Sequence, residues 1–258
     1  MKTISKVFSC ILAFSSLLGS VEGQNRYKIW YDKPASYWEE ALPIGNGRIA
    51  AMVFGDPQLE QIQLNEETVS AGSPYQNYNE EAKAALPEMR RLIFEGKYEE
   101  AQNMAATKIL SQVGNEMPYQ TVGRLNIRYQ DHKKVSNYYR DLDISNAMTV
   151  TRYKVDGVEF TEETFASFTD QLVIRHIKSS KPGAINCELF FNTPMRDPKR
   201  SIYGKKGLRL EGITHGSRYF PGKVHYCADL DVKNKGGEVT MANDTLLSVQ
   251  GASELTLY

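Results

Sequence analysis

This chain of 258 residues has little sulfur, little histidine and no excess of either charge. Its three cysteines and four histidines exclude a clustered metal centre: His132, His176, His215 and His225 are scattered, and no Cys or His pair has ligand spacing. No metal and no cofactor are expected. The 31 basic residues are balanced by 31 acidic ones, which argues against steering to nucleic acid or to an anionic membrane surface. No Ser stands in a Gly-x-Ser-x-Gly frame. Gly45-Asn46-Gly47 is followed by a strand, without Gly-Lys-Ser/Thr, so it is not a phosphate loop. Repeats of fixed period and low-complexity tracts are lacking as well.

The N-terminus reads as an export signal. Lys2 and Lys6 form a basic start, Val7 to Leu18 is apolar but too short to span a bilayer, and Val21-Glu22-Gly23 offers small residues where a signal peptidase cuts. Cleavage before Gln24 makes residues 1–23 a signal peptide and 24–258 the mature domain, exported to the periplasm or the extracellular space. The competing readings are a lipoprotein signal and a membrane anchor, but Cys10 precedes most of the apolar stretch, where a lipidated cysteine would follow it. Removing the leader takes two basic residues and one acidic residue, so the charge balance persists and no membrane contact is expected afterwards.

What is present points to sheet. Fifteen tyrosines accompany many Val/Ile/Thr runs. Tyr27–Tyr31, Ile49–Phe54 and Glu60–Leu64 read as strands, with a tight turn at Gly45-Asn46-Gly47 and a hairpin turn at Gly55-Asp56-Pro57. The loop Asn65 to Tyr75 is too polar for a core. Residues 79–110 are the strongly helical part: Asn79 can cap, Ala82, Leu86, Met89, Leu92 and Ile93 share a stripe, and Gly96 separates two helices. A break is expected at Pro87. From Gly123 onward the pattern is β throughout: Leu125–Tyr129, Tyr138–Asp143, Ala147–Val155, Val158–Ser167, Leu172–Lys178, Ile185–Asn192, Leu208–Gly212, Val224–Val232 and Glu238–Met241. Asp197–Lys206 reads as a basic loop, either solvated or gripping an acidic sugar or a neighbouring domain. Strands at this spacing, without strand–helix alternation, predict a mainly β antiparallel sandwich with a two-helix insertion. Of the cysteines left after export, Cys187 and Cys227 are expected as free core thiols, with a bridge possible if their strands pair.

The C-terminus ends in alternating apolar residues, Glu254-Leu255-Thr256-Leu257-Tyr258, with no turn signal behind them. The expectation is a sandwich truncated in mid-strand, with an apolar edge that invites aggregation. Catalytic chemistry is not evident. The pairs Glu39-Glu40, Glu66-Glu67, Glu80-Glu81, Glu99-Glu100 and Glu162-Glu163 are adjacent, and neighbours in a strand point to opposite faces, so none is a ready acid/base couple. Surface solvation is expected for all but Glu66, which lies in a loop able to carry function.

The ordered string Trp38-x-x-Ala41-Leu42-Pro43-Ile44-Gly45-Asn46-Gly47-Arg48-x-x-Ala51-Met52-Val53-x-Gly55, then Ile62-Gln63-Leu64-Asn65-Glu66-x-Thr68 and Gly72-x-Pro74, resembles the N-terminal domain of glycoside hydrolase family 95. The resemblance continues through Arg91-Leu92-Ile93-x-x-Gly96-Lys97-Tyr98-x-x-Ala101-Gln102 and Pro118-Tyr119-Gln120 to Gly251-Ala252-x-Glu254-Leu255-Thr256-Leu257-Tyr258. It implies a β-supersandwich and an inverting hydrolase of terminal α-L-fucosides or α-L-galactosides. It also implies that the catalytic groups sit on an (α/α)6 barrel of the same polypeptide, absent from this chain. The partners implied are that barrel and a fucosylated oligosaccharide. No residue here inherits a catalytic role; Asn46, Arg48, Asn65, Glu66 and Thr68 are candidates for a substrate rim or a barrel-facing loop. Where many relatives carry an aromatic residue this chain has Val69-Ser70-Ala71, with Tyr75 or Tyr78 as substitutes. The alternative is a stand-alone carbohydrate-binding β-sandwich using Trp30, Tyr37 and Trp38 as a platform.

Overall fold

The computed structural model describes residues 27–73, 76–111, 117–216 and 220–258. The proposed signal peptide lies outside the described residues, as does Tyr75. The strands are β1 (Lys28–Tyr31), β2 (Leu42–Gly45), β3 (Ile49–Val53), β4 (Leu59–Glu66), β5 (Gly123–Tyr129), β6 (Val135–Asp143), β7 (Met148–Val155) and β8 (Val158–Ser167). They continue with β9 (Leu172–Ser179), β10 (Ile185–Asn192), β11 (Arg196–Tyr203), β12 (Gly207–Ile213), β13 (His225–Lys235), β14 (Glu238–Asn243), β15 (Leu246–Ala252) and β16 (Glu254–Leu257). A nine-stranded sheet runs in the order β1-β6-β7-β8-β9-β16-β13-β12-β11, and a seven-stranded sheet in the order β14-β15-β10-β5-β4-β3-β2. All pairings are antiparallel, and the two sheets share one apolar core. The fold is a large antiparallel β-sandwich, as the patterning predicts.

Period-two alternation decides which face is buried. On β10, Ile185, Cys187, Leu189 and Phe191 are buried, while Asn186, Glu188 and Phe190 between them reach the outer face. Local turn chemistry fixes register: Asp156 and Gly157 both take positive φ (47° and 82°), the twist a two-residue hairpin needs between β7 and β8.

The helical insertion comprises α1 (Ala82–Phe94) and α2 (Tyr98–Met104), followed by one wide turn at Ala105–Ile109. Gly96 ends α1 at φ 75°, with its own N–H on the Ile93 carbonyl and the Lys97 N–H on the Leu92 carbonyl, a paired C-terminal cap. Pro87 does not break α1, contrary to expectation. It falls early in the helix, so the carbonyl it deprives of a donor is that of exposed Lys83 in the first turn, where solvent can replace the bond.

Other expectations are corrected. Arg196–Tyr203 is a strand and not a basic loop, paired with β12 through Arg200↔Leu210 and Ile202↔Leu208, with a register shift on the side of Pro198. Charge and proline suit an edge position, and β11 is an edge. Leu42–Gly45, not among the expected strands, is an edge strand of the other sheet and carries Pro43. Val69 and Ala71 are buried in a loop expected to be too polar for a core, pinned by Ala71 N–H to the Pro118 carbonyl and Gln120 N–H to the Val69 carbonyl. Cys187 is a free core thiol, but Cys227 is exposed, because it alternates outward on β13; neither is bridged. The terminal strand β16 is not an open edge. It pairs with β9 on one side and β13 on the other, in the interior of the nine-stranded sheet. Its partners come from far upstream, beyond the reach of a local turn reading.

A buried polar cluster ties the sheets together. Arg175 of β9 donates to Glu60 Oε2 of β4 at 2.8 Å, to Glu162 Oε2 of β8, and to Thr164 Oγ1 at 2.7 Å. Glu162 Oε1 accepts the Tyr129 hydroxyl at 2.5 Å and the Tyr153 hydroxyl at 2.8 Å. Glu60 Oε1 accepts the N–H groups of Phe54 and Gly55 at 3.1 and 2.9 Å. Glu162, expected at the surface, is in the core because Phe160 and Thr164 share its face of β8. Replacing Arg175 by Met leaves two buried carboxylates without their cation, an expected loss of about 3–5 kcal/mol in urea unfolding. Converting Glu60 and Glu162 to apolar residues in the same background should return most of that loss; a single variant as stable as wild type would refute the tie.

Candidate functional site

The five candidate residues come together at one end of the sandwich. Asn46 heads the β2–β3 turn: its Oδ1 accepts the N–H groups of Arg48 (3.0 Å) and Ile49 (2.9 Å), and its Nδ2 donates to the Ser167 carbonyl at 2.8 Å. That last bond joins the seven-stranded sheet to the β8–β9 turn of the other sheet. Register sets Ile49 against Glu66 and Ala50 against Asn65. Arg48 Nε lies 3.3 Å from Glu66 Oε1, and Glu66 Oε2 accepts the Thr68 N–H (2.8 Å) and hydroxyl (2.5 Å). Asn46 and Thr68 therefore brace the turn, while Arg48, Asn65 and Glu66 line a cleft of about 250 Å³ between the sheets.

The cleft wall is mostly aliphatic, including Ile62, Leu64, Val122, Leu125 and Leu230, with Gln171 and Asp229 among its polar members. Such a wall leaves a sugar's hydroxyls without partners, at a cost for each. The carboxylates are no better suited to acid catalysis. Burial would raise Glu66, but the Thr68 hydrogen bonds and the Arg48 guanidinium outweigh it and hold the carboxyl below its ordinary range. Asp229 is lowered by its bidentate pairing with Arg209, at 2.6 and 2.7 Å. A general acid needs the opposite shift.

The opposite shift occurs at Glu60. Burial pushes it up to about 7, against the pull of Arg175 and the Gly55 and Phe54 N–H groups and with the help of Glu162. It is sealed in the core, so no substrate reaches it. His132 is structural too: buried, stacked on Tyr129 at 4.3 Å between ring centroids, and held below its usual pKa by desolvation, with Nδ1 3.0 Å from the Pro57 carbonyl. Among the described residues no group of three His, Cys, Asp or Glu side chains could hold a metal. The cluster was readable as a pattern: Glu60 keeps the period of Ile62 and Leu64, and Arg175 that of Ile177, which places charge on a buried face.

The aromatic platform is divided. Trp30 is 60% exposed and stacks on Tyr139 on the nine-stranded sheet, whereas Tyr37 and Trp38 line a separate depression beside Phe54 and Arg124.

The model of the family described as Glycosyl hydrolase family 65, N-terminal domain, matches residues 29–258. The chain belongs to that family. Among curated relatives of this family 65 N-terminal domain, Alpha-L-fucosidase 2 of Arabidopsis thaliana is 37% identical over 248 residues, covering 87% of this chain and 29% of the relative. Probable alpha-fucosidase A of Aspergillus niger is 26% identical over 162 residues, 59% of this chain and 20% of the relative. The protein of the same name from Aspergillus oryzae is 26% identical over 174 residues, 64% and 23%. The chain thus spans less than a third of the length of these relatives. An α-L-fucosidase-like N-terminal domain is what the residue string implied.

Glu60 makes stability pH-dependent. Its folded pKa lies above the unfolded value of 4.5, so the folded state holds a proton that the unfolded state has released, and the stability gained below pH 4.5 is lost as pH rises through about 7. Urea midpoints measured across that range should fall more steeply for the wild type than for Glu60→Gln; parallel profiles would show that Glu60 does not titrate there.

Proposed function

We propose that this chain is the N-terminal β-domain of an exported, inverting exo-glycosidase that removes terminal α-L-fucose, or the related α-L-galactose, from glycans. The observation that carries this reading is the family match across residues 29–258, together with relatives named as α-fucosidases that are more than three times as long. The catalytic acid and the water-activating groups belong to an (α/α)6 barrel of the same polypeptide. The β-domain braces that barrel and lends the Asn46–Arg48 turn and the Glu66 strand end to its rim.

Two features of the chain support this division of labour. Both side-chain carboxylates on the cleft are held ionised, Glu66 by Thr68 and Arg48 and Asp229 by Arg209, so neither is poised to give up a proton. The helical insertion presents apolar side chains to solvent, with Phe94 89% exposed and Tyr98 and Leu110 also outside, a surface suited to cover by further polypeptide. Export rests on the basic, then apolar, then small-residue order of Met1 to Gly23.

The chain alone should release no 4-nitrophenol from 4-nitrophenyl α-L-fucoside above the blank, whereas the longer polypeptide with its barrel should, with the inverted anomer seen first by NMR. Turnover by the isolated chain that disappears in Glu66→Gln would place chemistry on this domain and end the reading.

A further inference from the structure

The outer face of the seven-stranded sheet carries side chains that the proposed hydrolysis does not use. Register arranges them in rows. Met52, Gln63, Arg124 and Asn192 stand side by side on β3, β4, β5 and β10. Gln61, Asn126, Phe190 and Leu246 form the next row across β4, β5, β10 and β15, and a third sets Arg128 opposite Glu188. With neighbouring strands about 4.8 Å apart, the second row spans roughly 14 Å.

Three shallow depressions of about 560, 520 and 320 Å³ run together along this face. The first, beside Tyr37 and Trp38, shares Gln61 and Arg124 with the second. The second shares Arg128, Phe190 and Asn192 with the third, which ends at Asn243 and at Arg200, contributed by β11 of the other sheet. The result is one groove crossing four strands.

Its floor is amide and guanidinium. Gln63 and Asn192 each offer donor and acceptor atoms, the pairing that vicinal hydroxyls need; Gln61 has its Oε1 on Arg124, and buried Asn126 spends its Nδ2 on the Arg124 and Phe190 carbonyls. Arg124 lies over the Phe54 ring at 5.6 Å and Arg128 over Phe190 at 4.8 Å, which holds both cations against the floor. Arg128 is neutralised by Glu188 at 3.1 Å. Arg124 and Arg200 instead donate to neutral acceptors, Gln61 Oε1 at 2.6 Å and the Phe191 carbonyl at 2.9 Å, so neither has an anionic partner among the described residues.

We infer that this face binds an extended oligosaccharide bearing carboxylate groups, its hydroxyls taken by the amide rows and its carboxylates by Arg124 and Arg200. The inference goes beyond fucoside cleavage and is read by binding, so it stands or falls separately from the proposed activity. Calorimetric titration of the chain with oligogalacturonate should show saturable binding, about tenfold or more tighter than with a neutral cello-oligosaccharide of equal length or with polyaspartate. Replacing Arg124 and Arg200 together by Gln should weaken it by about tenfold or more, while near-UV circular dichroism and the urea midpoint stay unchanged. Absence of binding, equal binding of polyaspartate, or full binding by the folded double variant would overturn the inference. Loss of the binding in the longer polypeptide would assign the face to a protein contact and overturn it as well.

Discussion

At Arg175 both sheets contribute charge to the same buried point. Its guanidinium meets Glu60 from the seven-stranded sheet and Glu162 from its own, and Tyr129 crosses back to Glu162 from the seven-stranded sheet. Apolar contact alone would let two sheets of this size slide over each other at little cost, since dispersion and hydrophobic burial are not directional. A charged fork with fixed donors is directional. It has to find Glu60 at one register of β4 and Glu162 at one register of β8, so the cluster selects the relative position of the sheets as much as it stabilises them.

The same constraint reaches the candidate rim. Glu60 takes the N–H groups of Phe54 and Gly55, which fixes the turn where β3 passes to β4. The Tyr138 hydroxyl donates to the Gly55 carbonyl at 2.6 Å, and Arg140 donates to the carbonyls of Lys33 and Glu40, both at 2.8 Å. The N-terminal segment is thereby held against the sandwich by side chains of β6. At the far end of β3, Asn46 makes the matching cross-sheet bond to Ser167. One hairpin is anchored at both ends, and Arg48, Asn65 and Glu66 inherit their placement from it. Closure of the nine-stranded sheet by β16, whose partners β9 and β13 flank it, adds pairings distant in sequence, a topology that folds slowly because loop entropy precedes contact.

Much of this was legible in the residues, and the failures share a cause. Strands β7, β8 and β10 were bounded closely, because unbroken alternation between clear turns leaves few other readings. The edge strands β2 and β11 were missed because Pro43, Pro198 and a run of cations read locally as loop, and only their place in a sheet shows that those features suit an edge. The open-edge reading of Glu254–Leu257 failed for the same reason: pairing is a property of distant segments. Asn46, Arg48, Asn65, Glu66 and Thr68 lie close together in the structure, and the residue string does not tell bracing from lining. The buried charges carry the clearest signal in the pattern: Glu162 shares its face with Phe160 and Thr164, two residues away, and not with its neighbour Glu163.

The distribution of carboxylates separates support from chemistry within this domain. A carboxyl poised to give a proton near neutrality needs desolvation, and a substrate needs access to it; the two requirements conflict unless a pocket is built around the group. Glu60 has the desolvation but lies in the core, while Glu66 and Asp229 border an accessible cleft and are held ionised, Glu66 by the Thr68 hydrogen bonds and Arg48, Asp229 by Arg209. Meanwhile Arg124 on the outer face of the seven-stranded sheet, and Arg200 brought to that face by β11 of the other sheet, have no anionic partner among the described residues. Side chains so arranged can hold and orient a polar chain, but they offer it no proton and no nucleophile. On these residues the physical chemistry of the domain is that of polar contact and bracing, in keeping with the proposed division of labour.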